Sequence, residues 1–565
     1  MFPATLSRCL CATLAGLTLI PSAIAAPRQL QVDVCIYGGT SAGVIAAVQT
    51  ARMGHSVILL EPGLHLGGLS SGGLGATDIG NKAAIGGASR EFYHRIAQHY
   101  AKDTSWYLET KEDYFNRNRW SQAGASQLEG PDATMWTFEP RIAENIFWDL
   151  VNEERVPVYL SQPLLTTSKD QRRITSIQTP SLDIHARMFI DATYEGDLLA
   201  AAGVSFIVGR EPNSLHNETL NGIRPETKYH QFNVTVDPYN SPGDPSSGLL
   251  PFIQEGDGGT PGEGDHRLQA YNYRLCFTTD PRNRLPLLPP PDYDPARYEL
   301  LARHLEALVA AGQTPTLAKL WHPIWMPNHK TDINNNGGFS TDFIGANYDY
   351  PAASLPQREA IALQHENYTR GFLTFLQTNP RVPENIRREA SEWGPAADEF
   401  VATRNWSHQM YVREARRMIG QIVMTEHHCR GTQTINDPIA LAAYNMDSHN
   451  CQRIVKDGQV QNEGDVQVPP MQPYPISYRS ILPKIDECSN LLVPVCLSST
   501  HIAYGSIRME PVFMILGQSA ATAAVHAIQE NTTLHNINYP RLKERLLADG
   551  QRLAWTPPQP ATPKP

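Results

Sequence analysis

The clearest pattern of apolar and polar positions lies just past residue 30. Val32 to Tyr37 is an apolar run of strand length, Ala42 to Met53 is an Ala/Val-rich stretch of helical length that stops at Gly54, and Ser56 to Leu60 is a second apolar run. Strand, helix and strand in that order predict a βαβ unit. Two further strand-length runs, Arg187 to Ala192 and Asn490 to Cys496, are far away in sequence. The pattern therefore predicts an α/β fold with one Rossmann-like sheet assembled from distant segments.

Between these runs, residues 209–405 have different habits: long polar loops, a Pro-rich stretch from Leu285 to Pro291, and helical segments at Pro295 to Ala311 and Pro356 to Thr378. We expect an inserted α+β cap or substrate region here, separating an N-terminal part (26–208) from a C-terminal part (406–553) of the domain that carries the sheet. The Pro-rich end, 554–565, is expected to be extended and disordered.

The first 25 residues read as a signal peptide, with Arg8 ahead of an apolar run from Cys9 to Ile20 and an A-x-A site at Ala23-Ile24-Ala25. Pro21 and Ser22 interrupt that run before it reaches the length of a membrane span. The expected location is secreted or periplasmic, with no stable membrane insertion once the leader is removed. No later stretch is expected to span. The net charge of −10, without a Lys/Arg block, argues against nucleic acid as a partner. Six cysteines follow the leader; an oxidising compartment permits pairs such as Cys429 with Cys451 or Cys488 with Cys496. No CxxC occurs, and no spaced ligand set predicts a metal.

Gly38-Gly39-Thr40-Ser41-Ala42-Gly43 lies where a phosphate-binding turn belongs, between first strand and helix. Gly38 permits the tight turn and Gly43 a close approach of helix to strand. Thr40 replaces the middle glycine of GxGxxG and brings a side chain to that point. Glu61 closes the second strand, followed by Pro62, and its carboxylate suits a ribose diol. Gly67, Gly68 and Leu69 continue into a Gly/Ser loop whose amides can approach a phosphate.

These segments carry a resemblance. DVCIYGGTSAG (33–43), HLGGLSSGGLGATD (65–78), FIDATYEGDLLAAAGV (189–204), KTDINNNGGFSTDF (330–343), YVREARRMIG (411–420), YNMDSH (444–449) and STHIAYGSIR (499–508) resemble the FAD-dependent oxidoreductase family of the glutathione-reductase-like flavoproteins, whose members are often labelled putative xanthan lyase. The resemblance implies FAD as cofactor and a glutathione-reductase type of FAD-binding domain. It implies contacts from Asp191, Ala192 and Thr193 near the adenosine half, and from Gly505, Ser506 and Arg508 ahead of a helix from Pro511 to Ala524.

A flavin enzyme needs a positioned substrate and a proton acceptor. His501 is one candidate. Asp447 and His449, two positions apart, share a face if their segment is extended. Arg413, Arg416 and Arg417 have helical spacing and suit a carboxylate or phosphate, whereas Lys330, Asp332 and Asn334 to Asn336 read as a polar loop able to bind a polyol or to turn the chain. The expected function is two-electron oxidation or reduction of a polar, carbohydrate-like small molecule with an unidentified electron acceptor. The alternatives are an FAD-containing lyase or isomerase acting on a sugar or polysaccharide, and a non-catalytic nucleotide-binding protein. No second GxGxxG unit is evident, which disfavours a built-in NAD(P)H site.

Overall fold

A computed structural model describes residues 26–119, 126–225 and 227–557; the leader and residues 558–565 of the Pro-rich tail lie outside the described residues. The first apolar run forms β1 (Arg28–Tyr37), followed by helix α1 (Ser41–Arg52) and β2 (Val57–Leu60). β1 pairs in parallel with β2 on one edge and with a second long strand, Leu182–Asp191, on the other. Val158–Tyr159 extends the sheet beyond β2, again in parallel.

The far edge of Leu182–Asp191 is shared. Its first half pairs antiparallel with Arg173–Gln178, and that strand pairs with Thr166–Asp170. Its second half takes Leu491–Leu492 in parallel, so the C-terminal segment does return to the sheet, as two residues rather than the seven expected.

Residues of β1 alternate between two cores, as the period of two in a strand requires. Val34 and Ile36 pack on the side of α1 and the helix Glu510–Gln529, whereas Cys35 and Tyr37 face Leu198, Leu199 and Cys496. Burial on both faces explains why the last four residues of β1, Val34 to Tyr37, read as a continuous apolar run. Glu510–Gln529 is long and apolar enough to cross a membrane by length and composition, contrary to the expectation that no later stretch would be; all but its last residue is buried, and it lies against α1. The two helices cross closely at Gly517, where a β-carbon would come within 2.2 Å of the Ala42 carbonyl oxygen.

The inserted region carries an antiparallel four-stranded sheet in the order Gly394–Pro395, Leu275–Thr278, Lys330–Asn335, Trp321–Trp325. Helices Glu299–Ala310 and Leu355–Thr378 accompany it, close to the positions read from sequence. The polar stretch at Lys330 is thus a buried strand, not a loop. Its polarity is satisfied internally: Lys330 Nζ sits within 2.7 Å of Glu139, Asp398 and Glu399, and Asp332 takes a bidentate contact from Arg274. All six cysteines after the leader are free and buried, and none is bridged to another.

Candidate cofactor and substrate site

The site begins where β1 ends. Gly38 has φ +103, a conformation only glycine adopts cheaply, and a β-carbon there would lie 2.7 Å from the Thr193 nitrogen. The chain then enters α1 through its N-cap, Thr40, whose hydroxyl accepts from the Gly43 amide and donates to the Ala192 carbonyl at 2.7 Å. A side chain is accommodated at the middle position of the motif because its hydroxyl is committed to the sheet. Gly43 permits the approach of helix to turn, since a β-carbon on it would be 1.8 Å from the Gly38 carbonyl oxygen.

Glu61 accepts the amides of Gly39 and Gly63, each at 2.6 Å. Burial pushes its carboxyl up to about 7, against the pull of those two amides. Each oxygen keeps lone-pair capacity for a further donor.

The second glycine pair is stitched to the first, with the Gly67 amide donating to the Gly39 carbonyl at 2.8 Å. At Gly68 a β-carbon would strike the Tyr194 hydroxyl. That hydroxyl accepts from the Leu69 amide at 2.8 Å and donates to Glu510 at 2.7 Å, while Ser70 Oγ donates to the other Glu510 oxygen at 3.1 Å. Glu510 opens the long buried helix, where a carboxylate complements the helix dipole; burial pushes its carboxyl up. Tyr194 and Glu510 were not singled out from the sequence. An acid directly ahead of a Pro and a long apolar run was the available signal for Glu510.

A cavity of about 670 Å³ opens over these residues, and Gly38, Thr40, Glu61, Pro62, Gly68 and Thr193 line it. The inserted and C-terminal regions supply the opposite wall, including Tyr273, Tyr350, Arg358, His408 and Met410. Arg358 and Arg416 both reach the cavity and hold Asp197 at 2.7–2.8 Å. The residues fit FAD: a glycine cradle that β-carbons would fill, a helix N-terminus for the diphosphate, an acid for a ribose, and a volume on the scale of ligand pockets.

Other expected contacts stand behind this lining. Ser41, Ala42 and Gly43 form the buried first turn of α1, and Gly39, Gly67 and Leu69 act through the backbone bonds described above. Asp191 points away from the cavity; it accepts from Thr193 and from the Leu199 amide, and so caps the short helix Asp197–Ala201. Ala192 contributes its carbonyl to Thr40.

Gly505, Ser506 and Arg508 face the segment around Met446–Ser448. A β-carbon on Gly505 would lie 2.3 Å from the Asp447 carbonyl oxygen, Ser506 donates to the Tyr444 carbonyl at 2.6 Å, and Arg508 holds the Asp447 carboxylate at 2.9 Å. Asp447 and His449 do approach each other, at 3.6 Å, but the stronger partner of His449 is Asp342, at 2.7 Å. Burial, with nearby Arg413, pushes the His449 imidazole down to about 4. His501 is buried and engaged on both nitrogens, by Glu414 at 2.8 Å and Ser448 at 3.0 Å. None of these three side chains lines the cavity.

YVREARRMIG is not helical. Its arginines diverge to separate acids: Arg413 to Asp342, Arg416 to Asp197, and Arg417 to Glu211 and Glu414. Among the described residues, the carboxylates of Glu139, Asp398 and Glu399 have the mutual spacing of a cation site, and the Lys330 ammonium already stands among them.

No curated protein sequence matches the chain. Among solved structures it is similar to T. acidophilum thioredoxin reductase (18% identity over 28% of this chain and 34% of that one, TM-score 0.16). It is also similar to L-amino acid deaminase from Proteus vulgaris (17%, covering 33% and 54%, TM-score 0.21). A geranylgeranyl bacteriochlorophyll reductase-like protein from T. acidophilum is matched over more of its length (10% identity, 92% and 83% coverage, TM-score 0.33). The matched part thus spans about a third to a half of the first two of these chains. The family model described as FAD dependent oxidoreductase matches residues 33–546. With the glycine cradle, the acid at the end of β2 and most of its length in the match, the chain belongs to the FAD dependent oxidoreductase family.

Proposed function

We propose that the protein is exported by its N-terminal leader and, in mature form, catalyses two-electron oxidation or reduction of a polar small molecule, passing electrons to or from an external partner. The observation that carries this reading is the cavity at the end of β1, walled on one side by the glycine turn and Glu61 and on the other by the inserted region. FAD, when bound, supplies the hydride-type electron chemistry. The first turn of α1 would hold the diphosphate and Glu61 the ribose, while Arg358 and Arg416, both paired with Asp197, would face them from the opposite wall.

His449 stands outside the cavity lining, and with its imidazole pushed down to about 4 it is neutral at pH 7 but a weak base; Asp342 and Asp447 flank the ring and would stabilise an imidazolium there. His501 lies one shell further in, linked to this segment through Ser448.

Anaerobic titration of the FAD-loaded protein with a panel of hydroxy and amino compounds tests the redox reading. Bleaching of the flavin band supports it; turnover to an unsaturated product without bleaching favours the lyase alternative. Export is tested by N-terminal sequencing of protein from the external fraction, with Ala26 expected first.

A further inference from the structure

Tyr411 is surrounded by guanidinium groups. The charge centres of Arg413, Arg508 and Arg274 lie 4.6, 5.7 and 6.0 Å from its ring centroid, and all three arginines are at most 4% exposed. Each pairs with an aspartate: Asp342 for Arg413, Asp447 for Arg508, and Asp332, with Asp78 further off, for Arg274. Arg274 is matched edge to edge with its acid. The other two are not.

Arg413 Nε, Arg508 Nε and Gln269 Nε2 are buried without a hydrogen-bond partner, Arg413 Nη2 is held by Asp342 Oδ1 at 3.1 Å, and Gln269 reaches the same cluster through Arg508 at 3.1 Å. An unmatched acceptor nearby is Asn272 Oδ1, on the residue whose backbone pairs with Tyr411. A buried donor left unmade costs about 1–3 kcal/mol. Three such donors against one acceptor mark a chamber short of acceptor atoms.

The chamber shares a wall with the cofactor cavity. Tyr273 and Met410 line that cavity, and Arg274 and Tyr411 follow them directly in the chain. The loop that starts at the Gly67 amide on the nucleotide turn ends here, with the Ala76 amide on Asp332 at 3.1 Å and Asp78 beside Arg274 at 4.0 Å. The side chains of Asp78 and Asp447 are 25% and 15% exposed, so the chamber is not sealed.

We propose that this chamber binds the substrate through a carboxylate, which the unpaired Nε–H groups of Arg413 and Arg508 and the Gln269 amide receive while Tyr411 fixes the guanidinium planes. An anion with two acceptor oxygens answers such a set of separate N–H donors, as a hydroxyl or amine does not. The inference rests on the flavoenzyme reading and narrows its substrate to a small organic acid.

Calorimetric titration of the FAD-loaded protein with succinate, against succinamide at equal ionic strength, tests the proposal. A succinate Kd below about 1 mM, with succinamide at least tenfold weaker, is expected. Equal binding of the two, or no succinate binding by protein that carries FAD, overturns the chamber. Arg413→Lys keeps a cation for Asp342 but removes the Nε–H donor; it is expected to lose at least tenfold in succinate affinity with FAD content and circular dichroism unchanged. A folded Arg413→Lys protein that binds succinate as the wild type does also overturns it. Succinate binding by a preparation that takes up no FAD would support the chamber and defeat the flavoenzyme reading instead.

Discussion

The carbonyl oxygen of Gly38 occupies the place a side chain on Gly43 would need: a β-carbon built there lies 1.8 Å from it. Neither atom can yield easily, because the Gly38 carbonyl belongs to the turn leaving β1 and Gly43 to the first turn of α1. Gly43→Ala is therefore expected to displace the helix start from the turn, at a cost of about 3 kcal/mol or more, and Gly43→Val to abolish flavin retention. The absorbance of purified protein near the flavin maximum checks this. A Gly43→Val protein that stays yellow removes the close-packing role.

Glu61 links cofactor affinity to pH. Its folded-state carboxyl is raised to about 7 from an ordinary 4.5, so the fold without ligand favours the protonated form, and that stabilisation is lost as pH rises through about 7. A ribose diol donates best to the ionised form. FAD affinity of the apoprotein is expected to rise between pH 6 and 8 and to be roughly tenfold weaker and flat with pH in Glu61→Gln, since a hydrogen bond to a charged group is worth about 1.5–3 kcal/mol. Fluorescence titration with FAD at several pH values measures it, and an unaltered profile would contradict the ribose assignment.

Tyr194→Phe removes the donor to Glu510 and the acceptor of the Leu69 amide together. A loss of about 1–3 kcal/mol in stability is expected, read as a lower denaturant midpoint, with weaker FAD retention because the Gly67–Gly68 loop loses its anchor. A midpoint equal to that of the wild type would remove the anchoring role.

Lys330→Met takes the buried ammonium from Glu139, Asp398 and Glu399 and leaves them the more exposed Arg141, at 3.3–3.5 Å. Breaking a buried ion pair costs about 3–5 kcal/mol, and Arg141 offsets part of that. Burial already raises Glu399 to about 7 despite the opposing Lys330, so the fold favours its protonated form and that preference is lost as pH climbs from about 4.5 through 7. The deficit of Lys330→Met should therefore be larger at pH 8 than at pH 5.5. Thermal melts at the two pH values test this, and equal deficits would show that the cluster is not electrostatically coupled.

The parts of the site built from local pattern were legible in the sequence. β1, α1 and β2 declare themselves through continuous apolar runs and a Gly54 stop, and Glu61 through its place at a strand end. The polar groups were harder to place, because their partners come from distant segments. Lys330–Asn335 looked like a loop since nothing local reveals that Glu139, Asp398 and Arg274 bury its charges. The arginines of YVREARRMIG had helical spacing, yet three acids elsewhere in the fold pull them apart. Asp191 was implied as a nucleotide contact by the family resemblance; in the fold its carboxylate accepts from the Leu199 amide at the start of the next helix.

The whole account turns on a flavin held by the β1–α1 turn, and a single experiment addresses it. Apoprotein is mixed with FAD, freed of excess by gel filtration, and titrated anaerobically with dithionite while its visible spectrum is recorded. One FAD per chain, fully bleached by two electrons and lost in Gly43→Val, is the expected result. A well-folded protein that elutes colourless after exposure to FAD would contradict the account at its base.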